Sequence, residues 1–249
     1  MNSYESIVDE IFNNLNKIRT NPAEFALKLD KEQINYKENN LKLRKRAVPV
    51  QTREGVQALK ECVQFLKTQN PLGSLTFSEG LRRAAQWHIN DTGTLGLIGH
   101  SGSKETTLQN RVDLFGKWNE CIGETLDYGL TTGFESVSDQ VIDDGIPSRP
   151  HRTIVLNPKF KQVGIAVGRH SQYSRIACCI FAGKFVDSDE MPEVEVKNEF
   201  IEDEIEVGEW VENAVRMTCD IRTEEEFGRI SKKVQRYWEL SDGRIIATD

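Results

Sequence analysis

The sequence predicts an α+β fold, on three observations. Apolar stripes at helical spacing recur between Tyr4 and Gly145. Two neighbouring runs after residue 160, QVGIAVG and RIACCIFAGKFV, read as strands. Beyond Val186 the composition breaks into an acidic stretch followed by further strand-like alternation. Helices and strands segregated along a chain point to α+β packing instead of alternating βαβ units. With 249 residues the chain can bury a substantial core, as one large domain or as a domain with an appendage.

The first stripe, Tyr4, Ile7, Val8, Ile11, Phe12, Leu15 and Ile18, predicts a helix with one buried face, ending near Thr20. Asn21-Pro22 then supplies a cap and a first-turn proline for a short helix through Phe25 and Leu29. From Lys28 to Arg53 the chain turns polar and basic, with KLRKR at 42–46, and reads mostly as loop. Such a loop is either a solvated surface or a docking patch for an acidic partner. Val56, Leu59, Val63 and Leu66 mark the next helix. In TFSEGLRRAAQWHIND, Thr76 and Glu79 make a capping box, and Leu81, Ala84, Ala85, His88 and Ile89 share one face. On that stripe His88 reads as a hydrogen-bonded core histidine, with a ligand role as the alternative. A second box, Thr132 with Glu135, opens a helix through Phe134, Val137 and Val141 that stops at Gly145.

Val163, Ile165 and Val167 alternate in the first strand, RHSQYS is a hairpin connection, and the second strand is apolar on both faces, as a central strand is. Residues 187–209 are dominated by acids with a single lysine and read as a self-repelling arm or linker. Val215, Met217, Cys219 and Ile221 alternate like a strand, Thr223 and Glu226 suggest a short capped helix, and VQRYWELSDGRIIAT reads as two strands joined at Ser241-Asp242-Gly243. The expected organisation is a domain at 1–187, an acidic arm at 188–209 and a strand or hairpin module at 210–249.

A formal net charge of −7 argues against a broad nucleic-acid surface. The opening residues lack a basic segment followed by an apolar run, and no stretch approaches the roughly 20 apolar residues that span a bilayer. Cys62, Cys121, Cys178, Cys179 and Cys219 are odd in number, irregularly spaced and without a C-x-x-C pair. Free thiols in a cytoplasmic protein are therefore expected.

LTFSEGLRRAAQWHIND, GHSGS, Arg111, CIGETLDYG and VIDDGIPSRPHRTIVLNPKFKQVGIAVGRH follow one another in an order and spacing that resemble the CAP superfamily. That group takes in the cysteine-rich secretory proteins, the insect venom antigens and the plant pathogenesis-related proteins, and its domain is also called SCP. The resemblance covers roughly residues 5–187. It implies a three-layer α-β-α sandwich, helices on both sides of a central antiparallel sheet, and the strand-like residues at 210–249 form a small C-terminal β-rich extension beyond it. It also implies a cleft where two histidines and two acids converge, which holds zinc or another divalent cation in several members.

On this chain the matching positions are His100 in GHSGS, Glu124 in GET and His151 in PHRTIVLNP. The fourth, a glutamate in Trp-x-x-Glu in many secreted members, falls on VIDDG and offers Asp143 or Asp144. His100 and His151 are the candidate metal ligands and zinc the candidate cofactor, since imidazoles and a carboxylate suit it. Asp143 and Asp144 sit at the end of a predicted helix, where the macrodipole disfavours an anion by roughly 0.3–1 kcal/mol. Either Arg149 and Arg152 or a metal would compensate. No G-x-S-x-G elbow, H-E-x-x-H helix or P-loop is present, and Ser101 and Ser103 beside His100 are ordinary turn residues, so no catalytic residue is assigned.

Three functions follow. The first is a non-enzymatic docking component of a larger protein assembly, in a cytoplasmic and cytoskeletal or ciliary axonemal setting. Its contacts would come from the C-terminal strands through Tyr237, Trp238, Ile245 and Ile246, and from the basic loop. The second is a zinc-dependent hydrolase using His100, His151 and Glu124. The third is a carrier of a lipid or sterol between helices.

Overall fold

The computed structural model of the chain describes residues 4–43 and 49–188, and beyond them the backbone of three strands at 214–226, 229–240 and 245–248. The chain divides into two units, one up to residue 193 and one from 194 onward. In the first, the order is α1 (Tyr4–Thr20), α2 (Pro22–Asp30), β1 (Leu41–Lys42), β2 (Val50–Gln51), α3 (Val56–Thr68), β3 (Thr76–Phe77), α4 (Glu79–Thr92), α5 (Leu108–Asp113), β4 (Gly116–Tyr128), α6 (Gly133–Ile142), α7 (Pro150–Val155), β5 (Gln162–His170) and β6 (Ser174–Asp187). No helix among the described residues is long and apolar enough to cross a membrane.

Four strands form the central sheet in the order β3-β5-β6-β4. The sheet is mixed, not purely antiparallel, because the two-residue β3 runs parallel to β5. β6 lies between β5 and β4, which is why its sequence is apolar on both faces. Val163, Ile165 and Val167 of β5 and Ala177, Cys179 and Phe181 of β6 pack with α1, α2, α3 and α6 on one side. Ala166, Ile176, Cys178, Ile180 and Ala182 face the other way, against Leu81, Ala84, Ala85 and Ile89 of α4 and Val112 of α5. Three layers result, with a separate core on each side of the sheet. Small residues on β5 admit α4: a Cβ on Gly164 would sit 2.0 Å from Arg82 N, so only glycine fits beneath that helix.

Arg19, fully buried near the end of α1, has no carboxylate partner among the described residues. Its guanidinium donates instead to the carbonyls of Gly73 (3.0 Å), Val155 (2.8 Å), Asn157 (3.0 Å) and Phe160 (3.0 Å). This ties α1 to the end of α7.

Several local expectations are corrected. Much of the stretch read as loop is ordered into the 3-10 turns Lys31–Asn35 and Glu38–Asn40 and the pair β1–β2. Lys42 of the basic run is 6% exposed and pairs with Asp139 of α6, so its charge serves packing; Arg44, Lys45 and Arg46 lie outside the described residues. Ser78, not Thr76, caps α4, accepting from Leu81 N at 3.2 Å, because Thr76 is already extended in β3. Thr132 caps α6 from its Oγ1, but the Glu135 carboxylate turns to Thr131 N (2.9 Å) and Oγ1 (2.6 Å), leaving half a box. Asn21 sits at the N-cap of α2 without a side-chain cap bond.

The second unit is the antiparallel sheet β7 (Ala214–Glu226), β8 (Arg229–Leu240) and β9 (Ile245–Thr248), in that order. Thr223 and Glu226, expected to cap a helix, belong to β7, opposite Lys232 and Arg229. A Thr-x-x-Glu spacing has no helical meaning where period-2 alternation continues through it. Register puts Met217, Trp238 and Ile246 in one row and Thr218, Tyr237 and Ala247 in the next, so Tyr237 and Trp238 belong to opposite faces. Ile245, opposite Glu239, shares the face of Tyr237. The side chains of these four expected contact residues, most of the acidic stretch (189–213) and the 241–244 connection lie outside what is described.

Candidate functional site

His100 follows Gly99, whose φ of 98° allows the loop after α4 to turn the histidine toward the sheet. Buried groups fix that loop. His88, fully buried on α4, meets Gly99 O at 3.1 Å, and Tyr128 Oη accepts from Gly99 N at 2.9 Å. Arg111 of α5 donates from Nη1 to His100 O (3.0 Å) and Thr106 O (3.1 Å). His88 is thus the core histidine its stripe suggested, and burial pushes its pKa down.

Glu124 rises from β4 with its side chain 2% exposed. Oε1 meets His100 Nδ1 at 2.8 Å, Oε2 takes Arg111 Nη2 at 2.5 Å, and Cys178 Sγ donates to Oε2 at 3.4 Å. Burial alone would push this carboxyl up. The His100 hydrogen bond and the Arg111 charge outweigh it and hold Glu124 below the usual carboxylate range. Arg111 stood in the motif order without a role; it is the buried counter-ion of the site.

Asp143 caps α6 in the left-handed region (φ 54°, ψ 48°). From there Oδ1 meets His151 Nδ1 at 2.8 Å and Oδ2 accepts from His151 N at 2.8 Å. The carboxylate at the end of one helix is offset by the first turn of the next, where orphan N–H groups favour an anion. Asp143, not Asp144, is therefore the acid that pairs with His151, the second carboxylate beside Glu124. Asp144 accepts instead from Arg53 N (2.6 Å) and Glu54 N (2.9 Å). Arg149 and Arg152, the expected counter-ions of the acid pair, form ion pairs with Glu54 and Glu61, while Arg149 Nη1 donates to the carbonyl of Asp143 at 2.7 Å. Glu54 gave no signal in the sequence, because its partners lie some 90 residues away.

The structure brings His100, Glu124, Asp143 and His151 to one place, with the two imidazole centroids 6.5 Å apart. They form two histidine–carboxylate pairs, not one four-ligand shell. Among the described residues no three His, Cys, Asp or Glu side chains converge as metal ligands. Both Nδ1 atoms are spent on carboxylates, which orients the rings as a second-shell acid does in metal sites and leaves Nε2 as the remaining donor. The residues thus fit a divalent ion to the extent of two nitrogens from His100 and His151.

A nucleophile is harder to find. Ser103 donates from N (2.8 Å) and from Oγ to Asp91, away from His100. Cys62, Cys121, Cys178 and Cys179 are free thiols, and the side chain of Cys219 is not described. Burial pushes Cys62 and Cys179 up to about 12 and Cys178 up as well, so these three stay protonated and inert. Beside His151 lies a cavity of about 250 Å³, lined by Tyr36, Lys42, Asp139, Asp143 and Asp144 among others. Two further cavities, of about 140 and 490 Å³, are bordered by Lys42 and Glu135 and by Arg149 and Arg152.

In structure the chain is similar to an extracellular protein containing an SCP domain from Bacillus anthracis str. Ames, at 20% identity over 45% of this chain and 35% of that one, TM-score 0.37. It thus spans about a third of the Bacillus protein. An outer surface protein from Borrelia burgdorferi is similar at 19% identity, over 45% of this chain and 78% of that one, TM-score 0.37. No curated protein matches the chain. The profile of the Cysteine-rich secretory protein family, CAP, matches residues 12–181, from within α1 to within β6. Because that span takes in both histidine–carboxylate pairs and the sheet beneath them, the chain belongs to the CAP family.

Proposed function

We propose that this chain is a non-enzymatic binding protein, a CAP domain that keeps its cleft as recognition architecture and works as a docking component of a larger protein assembly. One observation carries the non-enzymatic reading. Every acid of the cleft is already engaged, Glu124 by His100 and Arg111 and Asp143 by the backbone and ring of His151, and among the described residues no activated nucleophile stands beside them. A general base needs an uncommitted lone pair within reach of a nucleophile, and the pairs lack the second half of that arrangement. We assign docking to the module at 210–249 beyond the acidic arm at 188–209, in a cytoplasmic, cytoskeletal or axonemal setting. Its three-stranded sheet leaves β7 and β9 as edge strands, and an edge strand can accept a strand from a partner, which supports the docking assignment. Size-exclusion chromatography of native extract tests this: the full chain should elute far above its 28.4 kDa, and the chain cut after residue 187 at the size of a monomer. Elution of the full chain as a monomer refutes the reading.

A second reading rests on the two uncommitted Nε2 atoms. His100 and His151 would hold a zinc ion, which supplies Lewis acidity and a more acidic bound water. With Glu124 spent on Arg111, the chain provides two ligands, fewer than the three usual for a catalytic zinc. Titration calorimetry with zinc should show one site that His100→Ala and His151→Ala each abolish; heat that survives both substitutions places the ion elsewhere. The cavities described above each have charged residues in their lining, which lends no support to a lipid or sterol carrier.

A further inference from the structure

The outer edge of β7 carries a charge pattern that is complementary to itself. β7 stands at one border of the three-stranded sheet, and among the described residues no strand pairs along its other side. The opposite border, β9, is only four residues long, whereas β7 runs for 13 with neither proline nor glycine to interrupt it. Arg216, Asp220, Arg222, Glu224 and Glu226 alternate onto one face of that strand, and Met217, Cys219 and Ile221 onto the other. Within the sheet Arg216 stands opposite Glu239 and Glu226 opposite Arg229, but Arg222 stands opposite Lys233. Like charges directly opposite destabilise a ladder. Asp220 and Glu224 flank Arg222 along its own strand, so a directly opposed counter-charge has room only at the free edge.

We propose that this edge pairs with the same edge of a second copy, antiparallel and two-fold about Ile221, joining the two sheets into one. In that register Asp220 of each copy meets Arg222 of the other, Arg216 meets Glu226, Cys219 meets Thr223 and Ile221 meets itself. Wherever two charges meet, they are opposite in sign. Arg222 gains on its free side the acid that balances Lys233. Shifting the axis by one or two residues loses this. An axis at Cys219 sets Arg216 against Arg222, one at Asp220 or at Arg222 sets that residue against itself, and one at Thr223 sets Asp220 against Glu226. The order of charges along β7 thus selects both a second copy and its alignment. The pairing rests on the docking role given above to residues 210–249 and names the occupant of one edge; β9 and the faces of the sheet remain for the larger assembly.

Sedimentation equilibrium of the purified full chain tests it, and the chain should behave as a reversible dimer. Asp220→Arg and Arg222→Asp each set like charges against one another across the axis, and each should weaken the dimer about tenfold or more. An equimolar mixture of the two variants restores opposite charges at both contacts and should recover a heterodimer of parental strength. Folding and association separate, because Arg222→Asp meets Lys233 within its own sheet and Asp220→Arg meets the neutral Gln235, so neither should lower the melting temperature. If Asp220→Arg melts early, Arg222→Asp alone should still weaken the dimer. A monomeric parent, single variants that dimerise as the parent does, or a mixture that stays monomeric overturns the pairing. A monomeric purified chain that still elutes from native extract far above 28.4 kDa overturns the pairing and leaves the docking role to another partner. A purified dimer that elutes from extract at the same size keeps the pairing and removes the larger assembly.

Discussion

The two histidine–carboxylate pairs share a 2.8 Å contact and differ in everything behind it. Glu124 stands on a central-sheet strand and is neutralised by a fully buried arginine, and its histidine is 56% exposed. Asp143 stands at a helix junction, takes a backbone N–H as its second donor, and holds a histidine 22% exposed. One acid is stabilised by a formal charge, the other by the orientation of a chain end. Loss of a counter-ion should therefore be severe in the first pair and mild in the second.

Arg111→Met breaks the comparison most directly. It strands a buried carboxylate, and unfolding in urea should show a loss of about 3–5 kcal/mol. A loss below about 1 kcal/mol would mean that Glu124 does not need the charge. Acid probes the same pair. Glu124 is held below its ordinary range in the fold, so it stabilises the native state above that range, and the stability goes as pH falls through the lowered value. Glu124→Gln should flatten the acid limb of a stability–pH curve, and an unchanged limb contradicts the assignment.

Asp143→Asn should cost less, about 1–2 kcal/mol, since asparagine tolerates the left-handed conformation and keeps an acceptor for His151 N. His100→Ala should cost under about 1 kcal/mol, because its ring is mostly solvated. The smallest effect is kinetic. Alkylation of the native protein should modify Cys121 well before Cys62, Cys178 or Cys179, and Arg111→Met should expose Cys178 first, because that thiol rests on Glu124. Equal rates at all four would show that neither core shields its thiols.

What was legible in the sequence was whatever is periodic or order-preserving. α1, α3, α4 and α6 carry stripes that one face of a helix must bury, and β5 and β6 carry runs that only a covered sheet can hide. The cleft residues were legible through motif order, which located His100, Glu124 and His151 but left Asp143 and Asp144 level until the left-handed cap chose between them. β4 escaped because its first half is largely exposed and its second half buried on both faces, so no alternation survives. α5 and α7 have six residues each, too few for a stripe. Lys42 escaped because a lone lysine in a basic run gives no sign of the aspartate waiting 97 residues later.

Arg19 has a consequence for the order of events during synthesis. Its side chain lies in α1, yet three of its four acceptors are 136 to 141 residues downstream. Until Val155 has left the ribosome, the guanidinium can reach only the carbonyl of Gly73, and its set of acceptors is complete only once Phe160 has followed. Contacts of such long sequence separation are slow to form, and what waits for them stays open to chaperones and proteases. A nascent chain halted before α7 should therefore expose α1 to cleavage, and one in which β5 and β6 have also emerged should protect it.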